Sequence, residues 1–342
     1  MNKRPSLKQQ NRKPVLLFLF CLSFIILAIG FFSSLKWGQA HTSWKVLWEA
    51  LTWQGNDKTH LYIQTLRLPR TLTALFIGVQ LALAGLLTQL ITRNPLASPH
   101  LLGIHAGASL AVVIALITFS SFSLAHSVLF GFIGAACGTF LVWLLAGTQQ
   151  KQHVQLTLAG IAVSVLLSSL TEGLTILNQH STDSMLFWLV GSVDHASWAE
   201  VRMIMPFSLA GFAVFMLIIP SIKLLAMDDA VAIGLGGRVA VIKAVCMLLV
   251  IVLAGSAVAI CGPIGFVGLI IPHIARALVG GKLVLLIPLT ALLGGSLLLY
   301  ADFISRFIAF PYESPVGIVT AAIGGPFFIY LARRKRGAEH AA

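Results

Sequence analysis

The sequence predicts an all-α membrane protein, because charged residues are scarce and long apolar runs recur along the whole chain. Of the 342 residues, 58% are hydrophobic and 10% are charged, and the mean hydropathy is +0.93. A typical soluble domain is about 25% charged. The apolar runs approach the roughly 20 residues that a helix needs to cross a bilayer core of about 30 Å. Strands of a membrane barrel have about 10 residues and alternate in polarity, so a barrel is disfavoured.

About ten membrane-spanning helices are predicted, in a single transmembrane domain over residues 1–342. The first apolar run has about 20 residues, whereas the apolar part of a signal peptide has about 7–15, so this run is interpreted as a retained span. The predicted spans are 15–36, 71–91, 101–119, 127–146, 154–177, 203–222, 239–260, 266–280, 283–301 and 315–332.

The distribution of basic residues predicts the orientation of these spans. If both termini are cytoplasmic, 16 of the 23 Lys and Arg residues lie on the inner side, as the positive-inside rule requires. The tails 1–14 and 333–342 and the loop 221–238 are then cytoplasmic, and the protein is expected in the cytoplasmic (inner) membrane. The net charge of +12 comes from basic clusters beside apolar runs, so nucleic-acid binding is disfavoured and contact with membrane lipid is expected.

A weak internal repeat predicts two halves of opposite orientation. A shift of 177 residues matches four Ala, Gly and Pro positions in two segments that lie five spans apart. An odd number of spans between them implies inverted topology, which is common in transporters. The matched pairs are Ala82 with Ala259, Gly85 with Gly262, Pro95 with Pro272 and Gly103 with Gly280.

Small residues at a spacing of four predict close helix packing. The pairs Gly103 with Gly107 and Gly134 with Gly138 would let two helix backbones approach each other inside the membrane. We favour ordinary bundle packing over a gating role for these glycines.

Motifs for nucleotide, metal or covalent chemistry are missing from the sequence. The segment Gly280-Gly281-Lys282 lacks the upstream Gly and the following Ser or Thr of a phosphate-binding loop. The four cysteines have no paired spacing that indicates zinc or a disulfide framework. We therefore expect no catalytic residue, no metal site and no cofactor in this chain, and a separate subunit would have to hydrolyse any ATP.

The loop 221–238 predicts a short cytoplasmic surface helix. Asp228 and Asp229 suit its first turn, where carboxylates complement the helix dipole, and Gly234 and Gly236 would end it. Its small apolar face fits a groove in a partner protein. A plain connector with a capped turn explains the same residues equally well.

Three arginines on the predicted outer side oppose the charge bias. Arg67 and Arg70 flank the start of the second span, and Arg306 follows the ninth. They suit an acidic partner or an anionic ligand, because the guanidinium group binds carboxylates in a bidentate manner. Anchorage to lipid headgroups is the alternative.

Four ionisable residues lie in or near predicted spans and are candidates for function: His105, Glu172, His273 and Asp302. Asp302 can pair with Arg306 at a spacing of four residues, which favours a structural role. Glu172 lies near the outer end of the fifth span and could face a water-filled mouth. A proton relay would need more such groups on adjacent spans.

Five motifs, in order along nearly the whole chain, resemble those of iron-siderophore and cobalamin ABC permeases. The longest includes RNPLASPHLLGI, and the others include FWLVGSVDHASW and GPIGFVGLIIPHIARALVGG. The motifs cover residues 66–110, 187–198, 262–281, 301–306 and 314–331. The resemblance implies the type II ABC importer fold, with two permease copies (a homo- or heterodimer) over a cytoplasmic ATPase dimer that binds ATP and Mg²⁺. An extracytoplasmic binding protein would deliver the ligand.

The resemblance also implies roles for individual residues. The ATPase-coupling segment maps onto Leu225, Met227, Asp228, Asp229, Ala230, Ile233, Gly234 and Gly236, and docking of the binding protein maps onto Arg67, Arg70 and Arg306. The fifth and tenth spans would line the path, with Glu172, Glu313 and Gly317 as candidates. Two positions depart from the family pattern: Met227 replaces a usual Gly, and Ser314 replaces the Leu of a usual Glu-Leu-Pro.

The substrate implied by the resemblance is an iron(III)-siderophore complex, closest to a citrate-type hydroxycarboxylate chelate. Haem or cobalamin import by a permease of the same family is the alternative. An ion-coupled secondary transporter is a further alternative, which would need more buried carboxylates than the sequence provides.

Overall fold

The structure of the chain is a computed structural model. It describes residues 12–38, 42–55, 57–119, 123–147, 152–178, 188–225, 229–234, 236–310 and 312–339. The regular secondary structure of these ranges is helical.

Apolar helices occur at all ten predicted positions. They are α1 (Arg12–Lys36), α4 (Leu68–Ile91), α5 (Ile104–Thr118), α6 (Leu124–Ala146), α7 (Gln152–Leu177), α8 (Trp198–Leu217), α11 (Val239–Cys261), α12 (Val267–Val279), α13 (Leu283–Ile308) and α14 (Val316–Glu339). Within the described residues, seven of these are long and apolar enough to cross a membrane, while α5, α12 and the apolar part of α14 are shorter. The prediction of an all-α multi-pass membrane protein is confirmed.

Short helices lie between the apolar ones. Before α4 the chain forms α2 (Trp44–Leu51), α3 (Lys58–Tyr62) and a π-helical turn (Ile63–Arg67), which runs directly into α4. A 3₁₀ turn (Pro99–Leu102) precedes α5, and α9 (Ile219–Leu225) and α10 (Asp229–Gly234) precede α11. The segment from α2 to the π-helical turn was not predicted from the sequence.

Helix α4 lies at the centre of the bundle. It is the most buried of the seven long spans and packs against α8, α11, α12 and α13. Glycines permit the closest approaches: a Cβ added to Gly78 would overlap the carbonyl oxygen of Gly294, and one added to Gly85 would overlap that of Gly268. Close packing of this kind fixes the position of α4 relative to its neighbours.

The predicted close packing of the glycine pairs is confirmed between α5 and α6. A Cβ on Gly107 would overlap the backbone of Gly134, and a Cβ on Gly138 would overlap that of Gly103. These four glycines therefore have a packing explanation.

The predicted end of the ninth span is wrong. The span was expected to end at residue 301, with Arg306 beyond it, but α13 continues to Ile308 and contains both Asp302 and Arg306. The helix can continue through these charged residues because they pair with each other and with other helices.

Two further expectations need correction. The predicted sixth span, 203–222, is two helices, because α8 ends at Leu217 and α9 begins at Ile219. The residue pairs of the predicted repeat do not occupy equivalent positions, since Pro95 lies in a loop whereas Pro272 lies inside α12. That residue-by-residue alignment is therefore not a structural one.

Candidate functional site

A buried network of four charged side chains lies at the end of the bundle where α4 begins. It is centred on Asp302, which has no solvent exposure. The Nε and Nη2 atoms of Arg70 each lie 2.8 Å from Oδ1 of Asp302. Arg306 pairs with the other carboxylate oxygen through Nη2, and Nη1 of Arg70 pairs with Oε2 of Glu313. The sequence prediction of an Asp302–Arg306 pair is confirmed.

Arg306 also ties the network to α1. Its Nη1 donates to the carbonyl oxygen of Ser34 and its Nη2 to the hydroxyl of Ser34, both at 2.9 Å. The Ser34 hydroxyl in turn shares a hydrogen bond of 2.9 Å with the hydroxyl of Thr71. The network therefore joins α1, α4, α13 and the loop before α14.

The charges of the network balance: Arg70 and Arg306 are positive, and Asp302 and Glu313 are negative. A buried charge is tolerated only when it is paired and hydrogen-bonded. The loss of Asp302, which is fully buried, would leave two buried guanidinium groups without their shared partner, whereas Glu313 is partly exposed to water. The network is therefore expected to hold the ends of these helices in one arrangement.

Arg67 lies beside this network but has its own partners. Its Nη1 donates to the carbonyl oxygens of Leu35 and Lys36, at 2.8 and 3.1 Å, and its guanidinium carbon lies 5.0 Å from the centre of the Tyr62 ring. Arg67 thus connects the end of α1 to the start of α4.

The predicted docking arginines lie together but are buried. Arg67, Arg70 and Arg306 are 3%, 8% and 6% exposed. Direct contact with a docked protein would need one of these guanidinium groups to exchange an internal partner for an external one. Glu313, whose side chain is 26% exposed, is the most accessible acidic partner in the network. The docking role stays a prediction.

The three candidates for the path have different surroundings. Glu172 is exposed on α7, whereas Glu313 belongs to the charge network. Gly317 is buried, and its backbone N–H donates to the carbonyl oxygen of Gly191 at 3.0 Å. A Cβ on Gly317 would overlap the carbonyl oxygen of Val190, so packing alone requires this glycine. Their roles in a path stay predictions.

The predicted short helix at the opposite end of the bundle is confirmed as α10. It begins at Asp229, and after it Gly236 adopts a φ of 81°, a conformation that favours glycine. The backbone N–H of Gly237 donates to the carbonyl oxygen of Ala232 at 2.9 Å and closes the helix end. Met227 and Asp228 lie outside the described residues. The partner of this segment stays a prediction.

Leu225, the first residue of the predicted ATPase-coupling segment, is the last residue of α9 and is buried. Its carbonyl oxygen accepts a hydrogen bond of 3.0 Å from Nε of Arg93, which follows α4. Sequence reasoning missed this contact, because 132 residues separate its two members and no local pattern links them.

The remaining ionisable candidates lie against aromatic rings. His105 is buried with its ring 5.8 Å from that of His100, and the ring of His273 lies 5.9 Å from that of Phe327. Among the described residues, no group of three or more His, Cys, Asp or Glu side chains is placed to hold a metal ion.

Comparison with known proteins assigns the chain to one family. Residues 26–334 match the FecCD transport family. The chain is 44% identical over 328 residues to the Fe(3+)-citrate import system permease protein YfmD of Bacillus subtilis, covering 96% of this chain and 98% of that protein. It is 39% identical to the Fe(3+) dicitrate transport system permease protein FecD of Escherichia coli, covering 85% and 92%.

A solved structure is similar over nearly the whole chain. It is that of a metal-chelate type ABC transporter in an inward-facing conformation, with a TM-score of 0.80 and 32% sequence identity, covering 93% of this chain and 99% of the other. The chain belongs to the FecCD transport family.

Proposed function

We propose that this chain is the membrane-spanning permease subunit of an ABC importer for an iron(III) chelate of the citrate or siderophore type. The observation that carries the proposal is the full-length similarity to permeases named for iron(III) citrate, at up to 44% identity. The chain then supplies the pathway and is not itself an enzyme.

An ATPase dimer that binds ATP and Mg²⁺ is the proposed partner at the end that carries α10. Support comes from the short helix itself, which begins at Asp229 and is closed by the left-handed Gly236. Val231 on this helix is 55% exposed, while the neighbouring Ala232 is buried. An exposed apolar side chain on a short, firmly closed helix suits a groove in a partner protein.

An extracytoplasmic binding protein is the proposed partner at the end that carries the charge network. An acidic group of the binding protein would replace Glu313 as the partner of Arg70, since Glu313 is the more exposed of the two acidic partners of Arg70. Reversal of the charge at Arg306 would place a carboxylate against Asp302 and would disturb the fold as well as docking. A sharper test therefore acts on Glu313.

A second copy of this chain, or a similar permease, is the proposed partner along the membrane. Helix α7 carries exposed apolar residues along its length, among them Leu158, Val165 and Leu170, and α14 carries Ile323 and Ile329. These faces could line a path between two copies, with the exposed Glu172 near one end. The positive-inside bias supports cytoplasmic N- and C-termini in the cytoplasmic membrane.

Transport assays in proteoliposomes test the proposed function. The chain, reconstituted with its ATPase and binding protein, is expected to accumulate radiolabelled iron(III) citrate when ATP is supplied, and vanadate should abolish the uptake. Uptake of haem or cobalamin, but not of the iron chelate, would show that the proposed substrate is wrong. Uptake that persists without ATP and follows an ion gradient would favour the secondary transporter.

A further inference from the structure

The inner end of the central helix makes a polar contact with the segment that leads to α10. Arg93 lies two residues beyond the last residue of α4, and its Nε donates to the carbonyl oxygen of Leu225 at 3.0 Å. Leu225 is the last residue of α9. The last carbonyl groups of a helix have no partner within the helix and carry partial negative charge, so a guanidinium group is a favourable cap.

The backbone of Arg93 is held in an uncommon conformation. Its φ is 50°, in the left-handed region that non-glycine residues other than Asn and Asp rarely adopt. A left-handed residue just after α4 turns the chain sharply and brings the Arg93 side chain towards the end of α9. The hydrogen bond to Leu225 therefore depends on the left-handed turn at Arg93.

The helices on the two sides of this contact, α4 on one and α9 with α10 on the other, differ in how firmly they are held. Helix α4 is locked into the centre of the bundle by its glycine contacts with α12 and α13, and it carries Arg70 of the charge network at its other end. Helix α9 is buried through Ile219, Ile222 and Leu225 and packs against α4, α8 and α11, whereas α10 has six residues and packs against α9 and α11. Arg93 thus adds a polar contact between the most buried span and α9, the helix that α10 follows.

We propose that Arg93 is a positioning residue for energy coupling: its guanidinium holds the end of α9 against the inner end of α4. Movement of α10 is then transmitted through α9 and the Arg93 contact to α4. Because α4 carries the charge network at its other end, the same helix links both proposed partner surfaces. This inference rests on the proposed function, in which an ATPase contacts the segment around α10.

Arg93→Gly tests the side chain without disturbing the turn, because glycine adopts a φ of 50° without strain. Arg93→Asn serves as a second variant, since asparagine tolerates the left-handed region but is too short to reach Leu225. Lys223→Ala is the matched control: it removes one exposed positive charge from α9 and leaves the Arg93 contact in place.

The readout is the number of iron chelates transported per ATP hydrolysed by the reconstituted complex. Loss of a hydrogen bond from a charged group is expected to lower this ratio about tenfold in Arg93→Gly and Arg93→Asn. Basal ATP hydrolysis should remain, and Lys223→Ala should behave as the wild type. A wild-type ratio in both Arg93 variants would overturn the inference, whereas a wild-type complex without ATP-driven uptake would overturn the proposed function instead.

Hydrogen exchange on the full-length chain provides a second measurement, which does not depend on assembly with the ATPase. Backbone amides of α9 and α10 should exchange faster in Arg93→Gly than in the wild type, while those of α4 should not change. Unchanged exchange in α9 and α10 would show that Arg93 does not hold this segment, and would also overturn the inference.

Discussion

Arg70 and Asp302 lie 232 residues apart in the sequence, yet two guanidinium nitrogens of Arg70 lie 2.8 Å from the same carboxylate oxygen of Asp302. The pair joins the start of α4 to the last third of α13. Both residues are buried, and Arg306 and Glu313 complete a network of balanced charge. This arrangement determines how the end of the bundle where α4 begins responds to substitution.

Asp302→Asn is expected to destabilise the protein strongly. The substitution leaves two buried guanidinium groups with only Glu313 to balance them, and breaking a buried ion pair in this way costs about 3–5 kcal/mol. Thermal unfolding of the purified protein in detergent would measure the effect. Glu172→Gln is the control, because Glu172 is exposed on α7 and its loss should cost little. Equal melting temperatures for the two variants would contradict the role of the network.

Glu313→Gln is expected to strengthen binding of the proposed extracytoplasmic binding protein. If an incoming acidic group takes the place of Glu313 on Arg70, removal of the internal carboxylate removes a competitor. Partly exposed ion pairs contribute up to about 1 kcal/mol, so an increase in affinity of about two- to fivefold is expected. Titration of the binding protein against the detergent-solubilised permease would measure it. Unchanged or weaker binding would rule out the exchange.

Gly85→Ala is expected to separate α4 from α12. The added Cβ would overlap the backbone of Gly268, which cannot move as a flexible side chain would, and overpacking of this kind costs about 1–3 kcal/mol. Gly173→Ala is the matched control, since nothing lies within 4 Å of its added Cβ and alanine favours a helix by about 1 kcal/mol over glycine. Thermal unfolding should show opposite shifts for the two variants, and shifts of the same sign would be inconsistent with close packing at Gly85.

Gly236→Ala is expected to disturb the end of α10 and to lower uptake. The φ of 81° at Gly236 costs an alanine about 1–2 kcal/mol, which would loosen the closure of the helix. Gly281→Ala, in the turn before α13 and with nothing near its added Cβ, is the control and should leave uptake unchanged. ATP-dependent uptake by the reconstituted complex measures both variants. Normal uptake in Gly236→Ala would indicate that the geometry of this turn is not used in coupling.

Local sequence patterns were sufficient for the parts of the site that lie within one helix. The pairing of Asp302 with Arg306 follows from their spacing of four residues, and the short helix α10 follows from Asp229 at its start and the glycines at its end. Neither prediction required knowledge of distant residues. The end of α13, in contrast, was placed too early, because hydropathy penalises charged residues without regard to whether they are paired.

Contacts between distant segments could not be predicted. Arg70 was interpreted from its charge and position alone, and the burial of its guanidinium group between Asp302 and Glu313 has no sequence signal. The same holds for Arg93, whose partner is the backbone carbonyl group of Leu225. Every residue has such a group, so the identity of residue 225 does not reveal the contact.

By itself, the sequence determined that this chain crosses a membrane many times as helices, and where those helices lie. It could do so because a bilayer core imposes an apolar composition and a minimum length on each span, and both can be counted along the chain. The tertiary structure alone decided that the three arginines predicted to lie on the outer side are buried, and which groups they bind. Pairing of charges depends on which helices are neighbours, and packing between helices, not local composition, selects those neighbours.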